Sequence, residues 1–242
     1  MKINGNRKEL VERYLRAAWI LKIRLMSSRR QLWDNQTSII HIENSVLQIR
    51  KACESICHMS LVAAEIDLVD VSKTLYDKYD VGAIFKGLPE TGALHFPRFS
   101  RLSLKEANKN SSTWDLIRHD FDPVDLDRLK RIFYKCGNIL HENTIYKNFG
   151  FLTKGAVSNG LNALRADHQW LWNRFWHHSI VLKEHWFFVN LGDMTSAAQP
   201  TILKEEGFLQ EDLIIDFDPD VIADFNGNID WSQYEAGTFE SS

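Results

Sequence analysis

A chain of 242 residues, 44% hydrophobic and 25% charged, has the apolar material for one large packed domain, which argues against a disordered or fibrous chain. No uncharged apolar run approaches the ~18 residues that span a bilayer, and Met1 to Asn6 lacks the apolar core of a signal peptide, so a soluble, cytoplasmic protein without membrane contact is expected. The formal net charge of −3 conceals an asymmetry: residues 205–242 hold eleven acidic residues and no Lys or Arg, leaving residues 1–204 with 29 basic against 21 acidic groups, a net of +8.

Asn6 followed by Glu9 has the form of a capping box, and Leu10, Tyr14, Ala17, Leu21 and Leu25 keep helical spacing, so a first helix is expected to about Leu32. Residues 1–30 carry nine basic side chains, Arg13 and Arg16 among them, against Glu9 and Glu12. Such a face suits phosphates, the acidic end of its own chain, or simply solvent. A second helix is expected over about 38–68 on the stripe Val46, Ile49, Cys53, Ile56, Leu61 and Ala64, antiparallel to the first because the connector is short. Asp70 then suits the cap of a third helix carrying Leu75, Tyr76, Tyr79, Ile84 and Phe85, stopped by Gly87 and Pro89. Residues 88–121, with Pro89, Gly92, Pro97 and the NKNSS run, read as a long connection with little regular structure.

The stretch DPVDLDRLKRIFYKCGNILHENTIY, from Asp122 to Tyr146, carries the firmest helix signal. Asp122 suits the N-cap, Pro123 the first helical position and Asp125 the first turn. Leu126, Leu129, Ile132, Phe133, Cys136, Ile139 and Leu140 form an apolar stripe expected to lie centrally in a bundle of four or five helices. The other face carries Arg128, Arg131, Lys135 and Asn138 and ends on His141, Glu142 and Asn143, with Tyr134, Asn138 and His141 along one line.

A further helix is expected over about 153–180, its Trp172, Phe175 and Trp176 read as core rather than as a base-stacking platform. SIVLKE, HWFFVNLG and QPTILKE then read as a two- or three-stranded antiparallel sheet, with Gly192 and Asp193 in a turn. The resulting organisation is a helical bundle over 1–178, a small sheet over 179–204 and an acidic, partly disordered segment over 205–242, expected to fold back on the basic body.

Cys53, Cys57 and Cys136 lie on apolar stripes and read as reduced core residues. His119, His141, His168, His177, His178 and His185 show no dense ligand spacing and are expected at strand and helix ends, with no metal and no cofactor. Asp224, Asn226, Asn228, Asp230, Ser232 and Glu235 fall at the oxygen positions of a calcium loop, but Ile229 occupies the position that needs glycine. There is no Gly-rich phosphate loop, nucleophile elbow or Walker pattern.

KCGNILHEN, preceded by IFY, resembles the histidine-bearing helix of the HEPN-like proteins, helical bundles of bacterial toxin and antiviral systems. Further likeness lies in KACESICHMSLVAAE and LHFPRFSRL, so that the resemblance covers about residues 38–178. Active members of that family carry an arginine separated from the histidine by four to six residues; here five residues separate Lys135 from His141. The resemblance implies a HEPN-like, mainly α bundle with the sheet appended near the C-terminus. It also implies metal-independent RNA cleavage through a ribose 2′-hydroxyl, with His141 as acid or base, Lys135 as the cation on the phosphate and Asn138 beside them. Arg128, Arg131, Arg13 and Arg16 would contact nucleic acid. A homodimer and a protein partner of a defence or toxin system belong to the same expectation. The alternative is a non-catalytic interaction or nucleic-acid-binding module, and a His141 that shares no open cleft with a cation would favour it.

Overall fold

The computed structural model describes residues 5–33, 39–66, 75–78, 80–88, 95–107, 111–120, 122–141, 154–182, 185–192 and 201–204. The acidic segment, the calcium-loop positions, Asp70 and Tyr79 lie outside the described residues. The described chain is mainly helical, with α1 (Gly5–Leu32), α2 (Ile39–Ile66), α3 (Val81–Gly87), α4 (Pro123–Leu140) and α5 (Lys154–Phe175). The strands are β1 (Arg98–Ala107), β2 (Ser111–Arg118), β3 (His177–Leu182), β4 (His185–Asn190) and β5 (Thr201–Lys204).

α1 and α2 form an antiparallel pair, held in register where Arg24 donates to Gln48 at 2.7 Å and Arg13 meets Glu65 at 3.4 Å. Tyr14, Leu21, Leu25, Leu32, Val46, Ile49, Cys53 and Ile56 are fully buried in one continuous core, each aliphatic member contributing about 1.5–3 kcal/mol by burial. α2 is the hub of the bundle: it touches α1, α3, α4, α5 and β3. Its buried side spans nearly the whole helix, from Ile42 to Ile66. The expected central role of the Asp122 helix therefore belongs to α2, because α2 is apolar on a far wider face than α4.

The third helix is shorter than its sequence pattern suggests. Asp80 caps it, its carboxylate accepting from the Ala83 amide at 2.6 Å, and Leu75 and Tyr76 precede it in a turn. The larger correction concerns residues 88–121, expected as irregular connection. β1 and β2 pair antiparallel from Ser100↔Arg118 to Ala107↔Ser111, so the NKN stretch separates two strands of a hairpin. That hairpin joins the later strands in a five-stranded antiparallel sheet of order β2-β1-β3-β4-β5. The sheet thus draws two strands from a connection expected to run irregularly within the helical bundle. β1 reaches β3 through Arg98↔Ser179 and Phe99↔His178, and the buried Ser100 and Ser179 hydroxyls bond at 2.6 Å beside that junction.

α5 stops at Phe175 rather than near Ile180, and His177 to Leu182 continue as strand. Trp176 makes the corner: its amide closes the last helical turn on Trp172, its indole donates to the Gly192 carbonyl at 3.1 Å, and its own carbonyl accepts from Leu191. Gly192 sits at φ 82°, a left-handed conformation that favours glycine, while Asp193, the other residue of the expected turn, lies outside the described residues.

Candidate functional site

α4 begins as its sequence dictates. The Asp122 carboxylate accepts from the Val124 amide at 2.9 Å, Pro123 opens the helix and Asp125 sits in the first turn. Leu129, Ile132, Phe133, Cys136, Gly137 and Ile139 are buried. Gly137 faces α2, where an added Cβ would lie 2.9 Å from Arg50 Nη1, and the Arg50 guanidinium lies 4.6 Å from the Phe133 ring centre. With that side committed to the core, the polar residues of α4 fall on two separate lines.

The first line faces α5. Asp125, Arg128 and Lys135 on α4 meet Arg174, Trp170 and Asp167 on α5, the two series running in opposite directions. The Arg174 guanidinium is 3.4 Å from the Asp125 carboxylate, and the Arg128 guanidinium is centred 4.9 Å over the Trp170 ring. Lys135 Nζ donates to Asp167 Oδ2 at 2.7 Å. Burial pushes the Asp125 carboxyl above its ordinary value, with Arg174 pulling it back. Arg131, one turn before Lys135, is exposed, and among the described residues no ion pair or hydrogen bond engages it. Arg128, Arg131, Ile132, Lys135 and Asp167 together line an open cavity of about 390 Å³. Three cations therefore converge at one opening, one held by an aromatic face, one by a carboxylate and one exposed.

The second line carries Tyr134, Asn138 and His141, all exposed. Tyr134 donates to the Asp80 carboxylate at 3.1 Å, which turns this line toward the start of α3. His141 is the C-cap, its backbone amide bonding to the Gly137 carbonyl at 3.2 Å. Six residues place His141 about 120° around the axis from Lys135 and about 9 Å along it. Its imidazole is not among the residues lining the cation-rich cavity. The structure thus brings together Arg128, Arg131 and Lys135 of the sequence-derived set, and sets Asn138 and His141 on the other line.

The remaining candidates lie on α1. Arg13 is committed to Glu65 and lies 5.0 Å from the Tyr76 ring centre, while Tyr76 itself donates to Glu65. Arg16 is exposed on the same helix, and neither arginine lines the α4–α5 cavity.

Two residues of the groove were not found from sequence, Asp167 and Trp170. Their signal was present: Asp167, Trp170 and Arg174 recur at three- and four-residue steps and mirror the charge order of Asp125, Arg128 and Lys135 on an antiparallel helix.

Of the histidines expected at strand and helix ends, His119 follows β2, His141 caps α4, His177 and His178 open β3 and His185 opens β4, whereas His168 is buried within α5. His168 donates through Nε2 to the Leu25 carbonyl at 2.8 Å, while its buried Nδ1 has no partner. Burial lowers its pKa to about 4, with the nearby Arg29 acting in the same direction. His178 Nδ1 lies 2.8 Å from the Phe175 carbonyl and must carry the proton there, so Nε2 accepts from the Tyr14 hydroxyl at 2.9 Å. Burial lowers this imidazole to about 4 as well and raises the Tyr14 phenol well above its ordinary value. Cys53, Cys57 and Cys136 are free and buried; burial pushes the Cys136 thiol up to about 12. Among the described residues no group of three or more His, Cys, Asp or Glu side chains is arranged to hold a metal ion. Nor is any described helix long and apolar enough to cross a membrane.

Comparisons with protein-family models, with curated proteins and with solved structures return no match.

Proposed function

We propose that the chain is a non-catalytic nucleic-acid-binding module whose contact surface is the α4–α5 groove. The observation that carries this reading is the convergence of Arg128, Arg131 and Lys135 on one open cavity that His141 does not line. Planar guanidinium groups bond phosphate oxygens two at a time, and an ammonium adds a mobile point charge. Arg128, centred over the Trp170 ring, is held in place before any ligand arrives, which reduces the entropy lost on binding. A cleavage site needs its acid or base and its phosphate cation at the same phosphodiester. Here the cations share a cavity and the imidazole stands apart.

The test is fluorescence anisotropy with a labelled single-stranded RNA over a range of salt. Each phosphate contact contributes about −0.7 to the log–log salt slope for a single strand, so three contacts give a slope of about −2. Arg131→Ala should weaken binding to all sequences and flatten the slope by about 0.7. Arg131 is exposed and pairs with none of the described residues, so this change should leave the fold intact. Absence of RNA binding at low salt, or an isotherm indifferent to Arg131, overturns the reading.

One observation favours a second reading, the HEPN-like ribonuclease. His141, Asn138 and Tyr134 form an exposed line at the end of α4, a surface through which a two-fold dimer would bring two imidazoles to one phosphodiester. RNA cleavage by the purified protein, lost in His141→Ala and retained in Arg131→Ala, would install that reading in place of the first.

A further inference from the structure

The cavity between α4 and α5 is distinguished from a continuous basic track by its size and by its charge. Its volume of about 390 Å³ lies at the lower end of the ~300–1,000 Å³ of small-molecule pockets, room for one nucleotide rather than for a strand passing through. Among the described residues its lining sets three cationic side chains, Arg128, Arg131 and Lys135, against one carboxylate, that of Asp167, a surplus of two positive charges.

An internal phosphodiester brings one negative charge and two free oxygens. A terminal phosphate monoester brings about −1.5 to −2 at pH 7, with its second pKa near 6, and three strong acceptor oxygens. Three cationic groups around one opening match the monoester in both number of oxygens and charge.

We propose that this cavity receives the terminal monophosphate of an RNA strand. The proposal rests on the nucleic-acid-binding reading above and narrows it from strands to strand ends. Arg128 on Trp170 and the exposed Arg131 supply guanidinium donors, and Lys135 turns its ammonium from Asp167 Oδ2 toward the phosphate. Asp167 is the built-in counter-charge: it holds Lys135 at the cavity 2.7 Å away while no phosphate is present, and it opposes every anion that enters. Attraction grows with the charge of the ligand, so the dianionic end gains more from this cavity than an internal phosphate does.

The test compares one short single-stranded RNA in three forms, with a 5′-phosphate, with a 3′-phosphate, or with hydroxyls at both ends, by anisotropy competition against the full chain. At least one phosphorylated form should bind at least tenfold tighter than the hydroxyl form. That preference should disappear in Arg131→Gln, and it should shrink below about pH 6, where the monoester becomes a monoanion. Asp167→Asn should tighten the phosphorylated form several-fold, and more than it tightens the hydroxyl form. Equal affinity for all three forms, with Arg131→Gln weakening them alike, overturns the strand-end inference and leaves RNA binding in place. Failure of every RNA to bind removes both readings. Tighter capture of a phosphoserine peptide than of either phosphorylated RNA overturns the choice of RNA as the ligand.

Discussion

The two sides of α5 put the same kinds of residue to opposite uses. Toward α1 and the sheet, Leu164, His168, Leu171, Trp172 and Phe175 are buried, and the one polar side chain among them is a neutral imidazole bonded to a backbone carbonyl. Toward α4, Asp167, Trp170 and Arg174 are only partly buried, and each faces a charged side chain across the seam. Asp167 and His168 are neighbours in sequence, so a rotation of about 100° per residue separates a group that stays charged in water from one that burial keeps neutral. The inner side holds the fold together. The outer side holds its charges ready at an opening, where ion pairs are worth little to stability and much to an incoming anion.

Breaking the inner side should cost the most. Phe175 is 1% exposed and packs edge-on against Phe96 at 5.7 Å and Trp170 at 5.8 Å. Phe175→Ala should lower unfolding free energy by about 3–5 kcal/mol, read as a shifted urea midpoint with an unchanged slope. A cost under about 0.5 kcal/mol, typical of surface changes, would contradict the division of α5 into two sides.

Acid should attack the same side next. His168 and His178 have folded pKa values lowered to about 4, against about 6.5 in an unfolded chain. The unfolded state therefore takes up protons first. The stability contributed by the neutral imidazoles is intact above about pH 6.5 and is lost as pH falls from there toward 4, on the order of 3 kcal/mol for each. Protonated His168 would also leave Nδ1–H as a buried donor without an acceptor. Urea midpoints at pH 7 and pH 5 test this. A midpoint that does not fall between them would show that these imidazoles open to water, and His168→Gln and His178→Gln should each flatten the dependence.

The inner side was the more legible of the two in the sequence, for a physical reason. Apolar spacing reports burial directly, so α1, α2 and α4 fall within a few residues of their expected bounds and all three cysteines are buried as expected. The hairpin of β1 and β2 was obscured because Pro97 and the NKN run read as loop, although RFSRLSLKEA alternates apolar and polar residues in its middle, at Leu102 and Leu104. Strand pairing is a long-range fact, and a hairpin that depends on β3, more than seventy residues later, leaves little trace in its own window. His168 misled for a related reason: it is buried within α5 against α1, which supplies the Leu25 carbonyl. The groove was half legible. Its three cations stand out on α4, but Asp167 and Trp170 acquire meaning only when a second helix is laid alongside.

On the outer side, removing a pair should scarcely matter to folding. Lys135 and Asp167 have side chains 39% and 18% exposed, and such partly solvated pairs contribute about 0–1 kcal/mol. Asp167→Asn should therefore move the urea midpoint by less than about 1 kcal/mol in equivalent free energy. A loss beyond about 2 kcal/mol, the scale of a broken buried network, would show that the pair is structural and that the seam cannot open to a ligand.

The smallest effect expected is that of His141→Ala, and it separates the two functional readings most cleanly. His141 is exposed at the C-cap of α4, and the bond that ends the helix comes from its backbone amide, which alanine keeps. The variant should therefore change the unfolding free energy by no more than about 0.5 kcal/mol, as surface substitutions do. Its RNA affinity should match that of the parent, because the cavity is lined from Arg128 to Lys135 and by Asp167 without it. The decisive measurement is a time course of labelled RNA with parent and variant at equal concentration. Intact RNA in both, alongside equal binding, is what a module with its cations in the α4–α5 groove and its histidine outside it should give. Cleavage by the parent that vanishes in the variant would mean that the exposed line of Tyr134, Asn138 and His141, and not the groove beside α5, is where the chemistry lies.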